Sequence, residues 1–288
     1  MKLNTNFSGG NFMNTFTLNN GLIIPAIGFG TYKVELETLV KALEAGYRYF
    51  DTASYYGNEW DIPEALNRLG IKREEVLIAS KIWRSDMGYN GVMRSFSKTL
   101  ENLRSDYVDI LMIHWPRPNL ELKEWKVLDI ETWRAMEELH SKKKIRALGL
   151  SNFLPYHAEN ILSSCNIVPS VAQLEFHAGH TQTFALEYYR KKGIQVQAWS
   201  PMGRGRVLND ELVLELSGKY NVTPAQVCIR FCVQENVMPL PKASSPQRMR
   251  ENLESLNFVI DDEDMMRLEN MPPVGWSGEH PDRERVKI

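Results

Sequence analysis

Short β-rich apolar runs alternate along this chain with segments whose apolar residues recur at helical spacing. The strand runs are "IPAIGFG", "YRYFDTA", "VLIASKI", "YVDILMIH", "IRALGLSN", "VAQLEFH", "IQVQAWS" and "VMPLPKA". The helical segments are "VELETLVKALEAG", "EWDIPEALNRLG", "YNGVMRSFSKTLENLRS", "IETWRAMEELHSKKK", "LPYHAENILSS", "QTFALEYYRKKG", "TPAQVCIRFCVQEN" and "SPQRMRENLES". In the first of these, Leu39, Ala42, Leu43 and Ala45 mark the repeat and Gly46 supplies a helix stop. Strands separated by helices imply parallel βαβ units. Repetition of that unit along the chain predicts an α/β fold, a (β/α)₈ TIM barrel, whose usual size is close to this length.

Ahead of the barrel, "FTLNNGLIIPAIGFG" joins two apolar runs through Asn-Asn-Gly and predicts an N-terminal β-hairpin. "NDELVLELSGKYN" and "DDEDMMRLENM" remain as extra helices. Residues 1–14 are rich in Asn, Gly and Ser and read as a flexible tail; no linker interrupts 15–288, which reads as one domain. A doubly wound dinucleotide fold would require GxGxxG between strand and helix, and the chain has none. Its partial matches, "GFG" at Gly28 to Gly30 and "GRG" at Gly203 to Gly205, read as turn glycines.

Composition narrows the function classes. Hydrophobic residues make up 43% of 288, enough for a substantial core, and the net charge of −2 comes from interspersed acids and bases, with no basic stripe for nucleic acid. No apolar run reaches the ~18 residues of a membrane span, and the N-terminal stretch lacks the apolar middle of a signal peptide. A cytoplasmic protein that binds no membrane follows, and the absence of a heptad seam points to a monomer. Of three cysteines, Cys228 and Cys232 stand one helical turn apart in an apolar segment and read as buried thiols in a reducing compartment. His177 and His180 lack a third ligand at suitable spacing, so no metal is expected.

Candidate chemistry lies where the strand runs end. Catalytic groups of such a barrel stand at the C-terminal ends of its strands. Asp51 ends the second run, Lys81 the third and His114 the fourth; Ser151 and Asn152 end the fifth, Gln173 lies in the sixth, and Lys242 follows the eighth. Singly, each has an ordinary explanation: Asp51 as a turn cap, Lys81 as a snorkelling strand end, His114 as a core histidine, Tyr56 as a packed aromatic. Together, three successive strands would bring Asp51, Lys81 and His114 to one mouth, with Tyr56 on the following loop. An ammonium beside a phenol lowers its pKa, a carboxylate keeps that ammonium charged, and an imidazole can donate to a carbonyl oxygen. Such a set protonates a developing alkoxide and needs a hydride-bearing cofactor. Ser151, Asn152 and Gln173 can hold a carboxamide, Trp199 offers a flat face to a nicotinamide, and Lys242 with Arg248 flanks a Ser245-Pro246 helix start suited to an anion.

"GYRYFDTASYYGNE", "IASKIW", "MIHWP", "LGLSNF", "AQLEFH", "WSPMGRG" and "PKASSPQRMREN" follow the order and approximate spacing of the aldo-keto reductases. The chain resembles that family over roughly residues 15 to 283, with an ending similar to those of bacterial diketogluconate and glyoxal reductase-like members. The resemblance implies NADPH-dependent reduction of a small-molecule carbonyl substrate, an aldehyde or activated ketone, with NADH as a weaker alternative. It places the catalytic set on Asp51, Tyr56, Lys81 and His114, with Tyr56 as proton donor. It places cofactor contacts on Gly30, Thr31, Asp51, Ser151, Asn152, Gln173, Trp199, Ser200, Met202, Lys242, Arg248 and Asn252, and the substrate pocket on Tyr32, Trp83, His114 and Trp115. Ala243 stands where many relatives carry serine, and "HAGH" replaces the usual His-Pro. A barrel that binds NADPH as a sensor with little turnover is the alternative function.

Overall fold

The computed structural model describes residues 14–284. Strands β1 (Thr15–Thr17) and β2 (Ile23–Pro25) pair antiparallel, with Phe16 opposite Ile24. The barrel strands are β3 (Phe29–Gly30), β4 (Tyr49–Asp51), β5 (Leu77–Ile82), β6 (Val108–Ile113), β7 (Ile145–Ser151), β8 (Val171–Glu175), β9 (Gln195–Trp199) and β10 (Val237–Leu240), hydrogen-bonded in chain order as one parallel sheet of eight. The helices that follow these strands in turn are α1 (Leu36–Ala45), α2 (Asp61–Leu69), α3 (Tyr89–Asn102), α4 (Trp125–Ser141), α5 (Pro155–Leu162) and α6 (Thr183–Lys191), then α8 (Pro224–Gln234) before β10 and α9 (Pro246–Glu254) after it. The additional helices are α7 (Glu211–Tyr220) and α10 (Asp262–Glu269). Gly46 ends α1 in the left-handed region at φ 108°, where a Cβ would be strained. α4 begins at Trp125, earlier than the spacing from Ile130 suggests, because the Trp125 ring packs edge-on to Tyr156 and His157 of α5.

The run "IPAIGFG" divides between two structures. Its first residues belong to the hairpin and only Phe29 and Gly30 pair in the barrel. The ring closes where Gly28 N–H donates to the Pro239 carbonyl at 3.0 Å and Gly30 N–H to the Pro241 carbonyl at 3.2 Å. A Cβ at Gly28 would stand 2.6 Å from Leu240 Cδ2 and 2.7 Å from Tyr49 Cδ1. Gly28 is therefore a close-packing residue at the barrel seam, correcting its reading as a turn glycine; Gly203 and Gly205, at φ 54° and 89°, are turn glycines.

The hairpin closes the far end of the barrel. Phe16, Leu18 and Ile24 pack with the interior residues Tyr49, Ile110 and Met238, while Asn19 and Asn20 donate to the carbonyls of Pro169 and Arg146. This leaves the opposite end, with its βα loops, as the open mouth. The expected tail at 1–14 lies outside the described residues except Asn14, whose carbonyl accepts from Ala26 N–H. Cys228 and Cys232 are fully buried on α8, and burial pushes the Cys228 thiol up to about 12 and Cys232 well above its usual range.

Candidate active site

The polar strand ends meet at the mouth. Asp51 closes β4 and Lys81 lies near the end of β5; both side chains are buried. Lys81 Nζ donates to Asp51 Oδ2 at 2.7 Å, to the Thr52 carbonyl at 3.0 Å and to Tyr56 Oη at 3.4 Å. An ammonium has three hydrogens, and each here has an acceptor. Tyr56 Oη thus accepts from Lys81, which leaves its own O–H to be donated elsewhere. Burial lowers the Lys81 pKa, and the Asp51 carboxylate opposes that shift.

Tyr56 sits in a 3₁₀ turn, Ser54 to Tyr56, fastened from several sides. Ser54 Oγ donates to the Lys81 carbonyl at 3.0 Å, and Asn58 Nδ2 donates to the carbonyls of Thr31 and Val34, both at 2.9 Å. The buried Glu59 carboxylate accepts from Ser80, Thr99 and Asn102, tying the loop to β5 and α3. Tyr55 instead stacks on Trp83 with ring centroids 3.8 Å apart. The adjacent ammonium suggests a lowered pKa for Tyr56, but the structure gives the opposite direction. Burial pushes the phenol well above its usual range, with the Asp51 charge acting the same way. Desolvation outweighs the cation, so the phenol holds its proton at neutral pH.

His114 follows β6, buried, its ring 5.8 Å from that of Tyr56 and 5.0 Å from Trp83, edge-on to both. Burial, then the Lys81 and Arg84 charges, hold its pKa well below the ordinary histidine value. The imidazole is neutral and can orient a carbonyl by hydrogen bonding, but it is not an imidazolium acid.

Beneath this group the predicted Gln173 leads into a buried chain whose second amide, Gln197, the sequence reading missed. Gln173 Nε2 donates to Asp51 Oδ1 at 2.8 Å and to Gln197 Oε1 at 3.1 Å; Gln197 Nε2 donates to Tyr49 Oη at 2.7 Å. Both Asp51 oxygens are therefore held, one by Lys81 and one by Gln173. The signal was a glutamine at the centre of "IQVQAWS", where a wholly buried strand would otherwise be apolar.

The other predicted residues fall around the same mouth. Trp199 ends β9, and its indole N–H donates to Asn152 Oδ1 at 2.8 Å; Asn152 Nδ2 reaches the His114 carbonyl at 2.9 Å and Ser151 Oγ at 3.2 Å. The Asn152 amide thus fixes the plane of the indole. Asn152 and Ser200 adopt φ 62° and 52°, a conformation costing non-glycine residues roughly 1 kcal/mol or more and concentrated at functional sites. Met202 is partly buried beyond Ser200. Gly30 ends β3, and Thr31 donates from both N–H and Oγ1 to the Asp51 carbonyl. Tyr32 is exposed, its ring 5.0 Å from Tyr56. Trp83, after β5, meets the His114 ring edge-on, and Trp115, next to His114 in sequence, borders the mouth.

Lys242 and Arg248 are exposed beside the start of α9, where Ser245 Oγ caps the Arg248 N–H, and no carboxylate among the described residues lies within ion-pair distance of either. Two unpaired cations at a helix N-terminus, together with a fixed indole face across the mouth, fit a nicotinamide dinucleotide phosphate. Asn252 is buried on α9, where the Tyr47 hydroxyl donates to the Met249 carbonyl at 3.3 Å.

The C-terminal segment after α10 lies over this mouth. Buried Glu175 accepts from Ser277 N–H at 2.8 Å and Ser277 Oγ at 2.6 Å, and Arg206 donates to the Trp276 carbonyl. Asp282 accepts from Arg117 and, at 2.9 Å, from His157 Nε2. His157 Nδ1 accepts from Leu154 N–H, so the proton is on Nε2; burial lowers its pKa to about 4, and the ring is neutral at physiological pH. Between this segment and the barrel lies a cavity of 380 Å³ bounded by Trp115, Asn152, Trp199, Trp276 and His280.

Comparison with known proteins decides the family. The Aldo/keto reductase family profile matches residues 26–271. The chain belongs to the aldo/keto reductase family. It is 37% identical to glyoxal reductase of Bacillus subtilis over 93% of this chain and 96% of that protein. It is 34% identical to NADP-dependent D-sorbitol-6-phosphate dehydrogenase of Malus domestica over 88% and 92%. The aldose reductase structure from Schistosoma japonicum superposes with a TM-score of 0.83 at 33% identity, covering 95% of this chain and 94% of that one. As an aldo/keto reductase, the protein is an oxidoreductase of a family that reduces carbonyls to alcohols with nicotinamide cofactors.

Proposed function

We propose that this aldo/keto reductase reduces an aldehyde or activated ketone to the alcohol with NADPH, Tyr56 being the proton donor. The observation that carries the assignment is the three-way engagement of Lys81 Nζ, which leaves the Tyr56 O–H directed away from the ammonium. The reduced nicotinamide, when bound, supplies the hydride. Trp199, fixed by Asn152, would hold its ring, while Lys242 and Arg248 would hold the adenosine phosphate; Ala243 brings no hydroxyl to that phosphate, and the exposed Ser244 stands next to it in sequence.

His114, neutral, donates to the carbonyl oxygen and fixes its direction. Tyr56 gives its proton to that oxygen as alkoxide character develops. A raised phenol pKa does not prevent this, since an alkoxide's conjugate acid lies near that of water at ~16. Lys81 holds the phenolate formed, and Asp51 with Gln173 keeps Lys81 charged and in place.

Incubation with NADPH and butanal is expected to yield butanol in step with NADPH consumption; cofactor binding with the aldehyde recovered unchanged would favour a sensor instead. Lys242→Met is expected to raise the NADPH KM roughly tenfold and leave the NADH KM unchanged in the same assay.

A further inference from the structure

Arg84 opens the 3₁₀ turn after β5 and lays its guanidinium against two indoles. Its Cζ lies 4.6 Å from the centroid of Trp115 and 6.0 Å from that of Trp83. Trp83 in turn meets the His114 ring at 5.0 Å, and Trp115 borders the 380 Å³ cavity. The cation is thus one aromatic ring removed from the imidazole that orients the carbonyl.

Nearby arginines have partners: Arg117 is paired with Asp282, and Arg204 with Glu279 at 3.6 Å. Among the described residues, no carboxylate lies within 4.0 Å of Arg84, and its Nε–H is buried without an acceptor. Burial holds the Arg84 pKa below the usual range, with only the more distant Glu279 opposing it. Arg283 of the C-terminal segment repeats the pattern. It borders the cavity directly, where Arg84 reaches it only through Trp115; it lies 5.0 Å from the Trp276 ring and has no carboxylate within ion-pair distance among the described residues. Two guanidinium groups laid on indoles at one mouth, neither with an ion-pair partner among the described residues although Glu279 also lines the cavity, form a receptor for an anion.

That anion is not the cofactor phosphate. Lys242 and Arg248 follow β10, whereas Arg84 follows β5, three strands further round the ring through β3 and β4.

We propose that the carbonyl substrate carries a carboxylate or phosphate held by Arg84, with Arg283 as the second cation; the proposal rests on the carbonyl-reduction reading of the mouth. The test compares substrate pairs that share a reacting aldehyde, succinic semialdehyde with butanal and glyceraldehyde 3-phosphate with glyceraldehyde. Wild type and Arg84→Met, whose unbranched stem can still cover Trp115, are assayed together. The wild type should favour at least one anionic member by about tenfold or more in kcat/KM, and Arg84→Met should lower that anionic-to-neutral ratio by roughly ten- to hundredfold, through KM. Arg84→Lys should keep part of it. A preference confined to the semialdehyde identifies a carboxylate, and one confined to the triose phosphate a phosphate. Equal use of both members by the wild type, or an unchanged ratio in Arg84→Met, overturns the proposal. Failure to reduce any of the four aldehydes overturns the carbonyl-reduction reading itself, and this proposal with it.

Discussion

Tyr56→Phe is expected to lower kcat for aldehyde reduction by roughly 10²- to 10⁴-fold, the usual contribution of a positioned general acid. Only a hydroxyl is removed; the ring keeps its neighbours Tyr32 and His114, so the mouth retains its shape. His114 cannot substitute as a strong acid because burial and the Lys81 charge keep it neutral. NADPH affinity, measured by quenching of tryptophan fluorescence, is expected to stay within about twofold, since the phenol hydroxyl contributes no more than one weak hydrogen bond to binding. Turnover near the wild-type rate would remove Tyr56 as the donor.

Lys81→Met should have the largest effect on stability. It leaves the buried Asp51 carboxylate without its cation, and removing one partner of a buried pair costs about 3–5 kcal/mol. Part of that cost is the carboxylate left unpaired, so Asp51→Asn combined with Lys81→Met is expected to recover roughly half of it. Urea unfolding of the two single variants and the double variant measures the difference. Additive losses would mean that the 2.7 Å contact is not an energetic unit. The two proteins carrying Lys81→Met are expected to be nearly inactive because the phenolate would lose its ammonium, and Asp51→Asn to be impaired because Lys81 would lose the carboxylate that keeps it charged.

Much of this arrangement is visible in the sequence. "VLIASKI" and "YVDILMIH" are largely apolar runs that carry Lys81 and His114 at or next to their C-terminal ends, where a barrel mouth collects its side chains. What the one-dimensional pattern cannot carry is register and desolvation. Gln197 joins Gln173 and Tyr49 because β8 and β9 align Gln173 with Gln197, a pairing that spacing alone does not fix. Gly28 looks like any glycine before a loop until the closing of the ring places Leu240 and Tyr49 against it. The pKa of Tyr56 was expected to fall because an ammonium is near; it rises because the hydroxyl is buried, and burial depends on loops anchored by Asn58 and Glu59. Arg117, His157 and Asp282 meet across long stretches of chain, beyond the reach of any local pattern.

The pH dependence of reduction tests the central claim most directly. A donor must be protonated, so its activity is lost as pH rises through its pKa. Tyr56 is raised well above the ordinary phenol value, and His114 is already neutral well below pH 7. With a neutral aldehyde and saturating NADPH, kcat is expected to stay level from about pH 7 to 9. A decline across that range with a midpoint near 7 would identify an imidazolium as the acid and contradict Tyr56 as the donor.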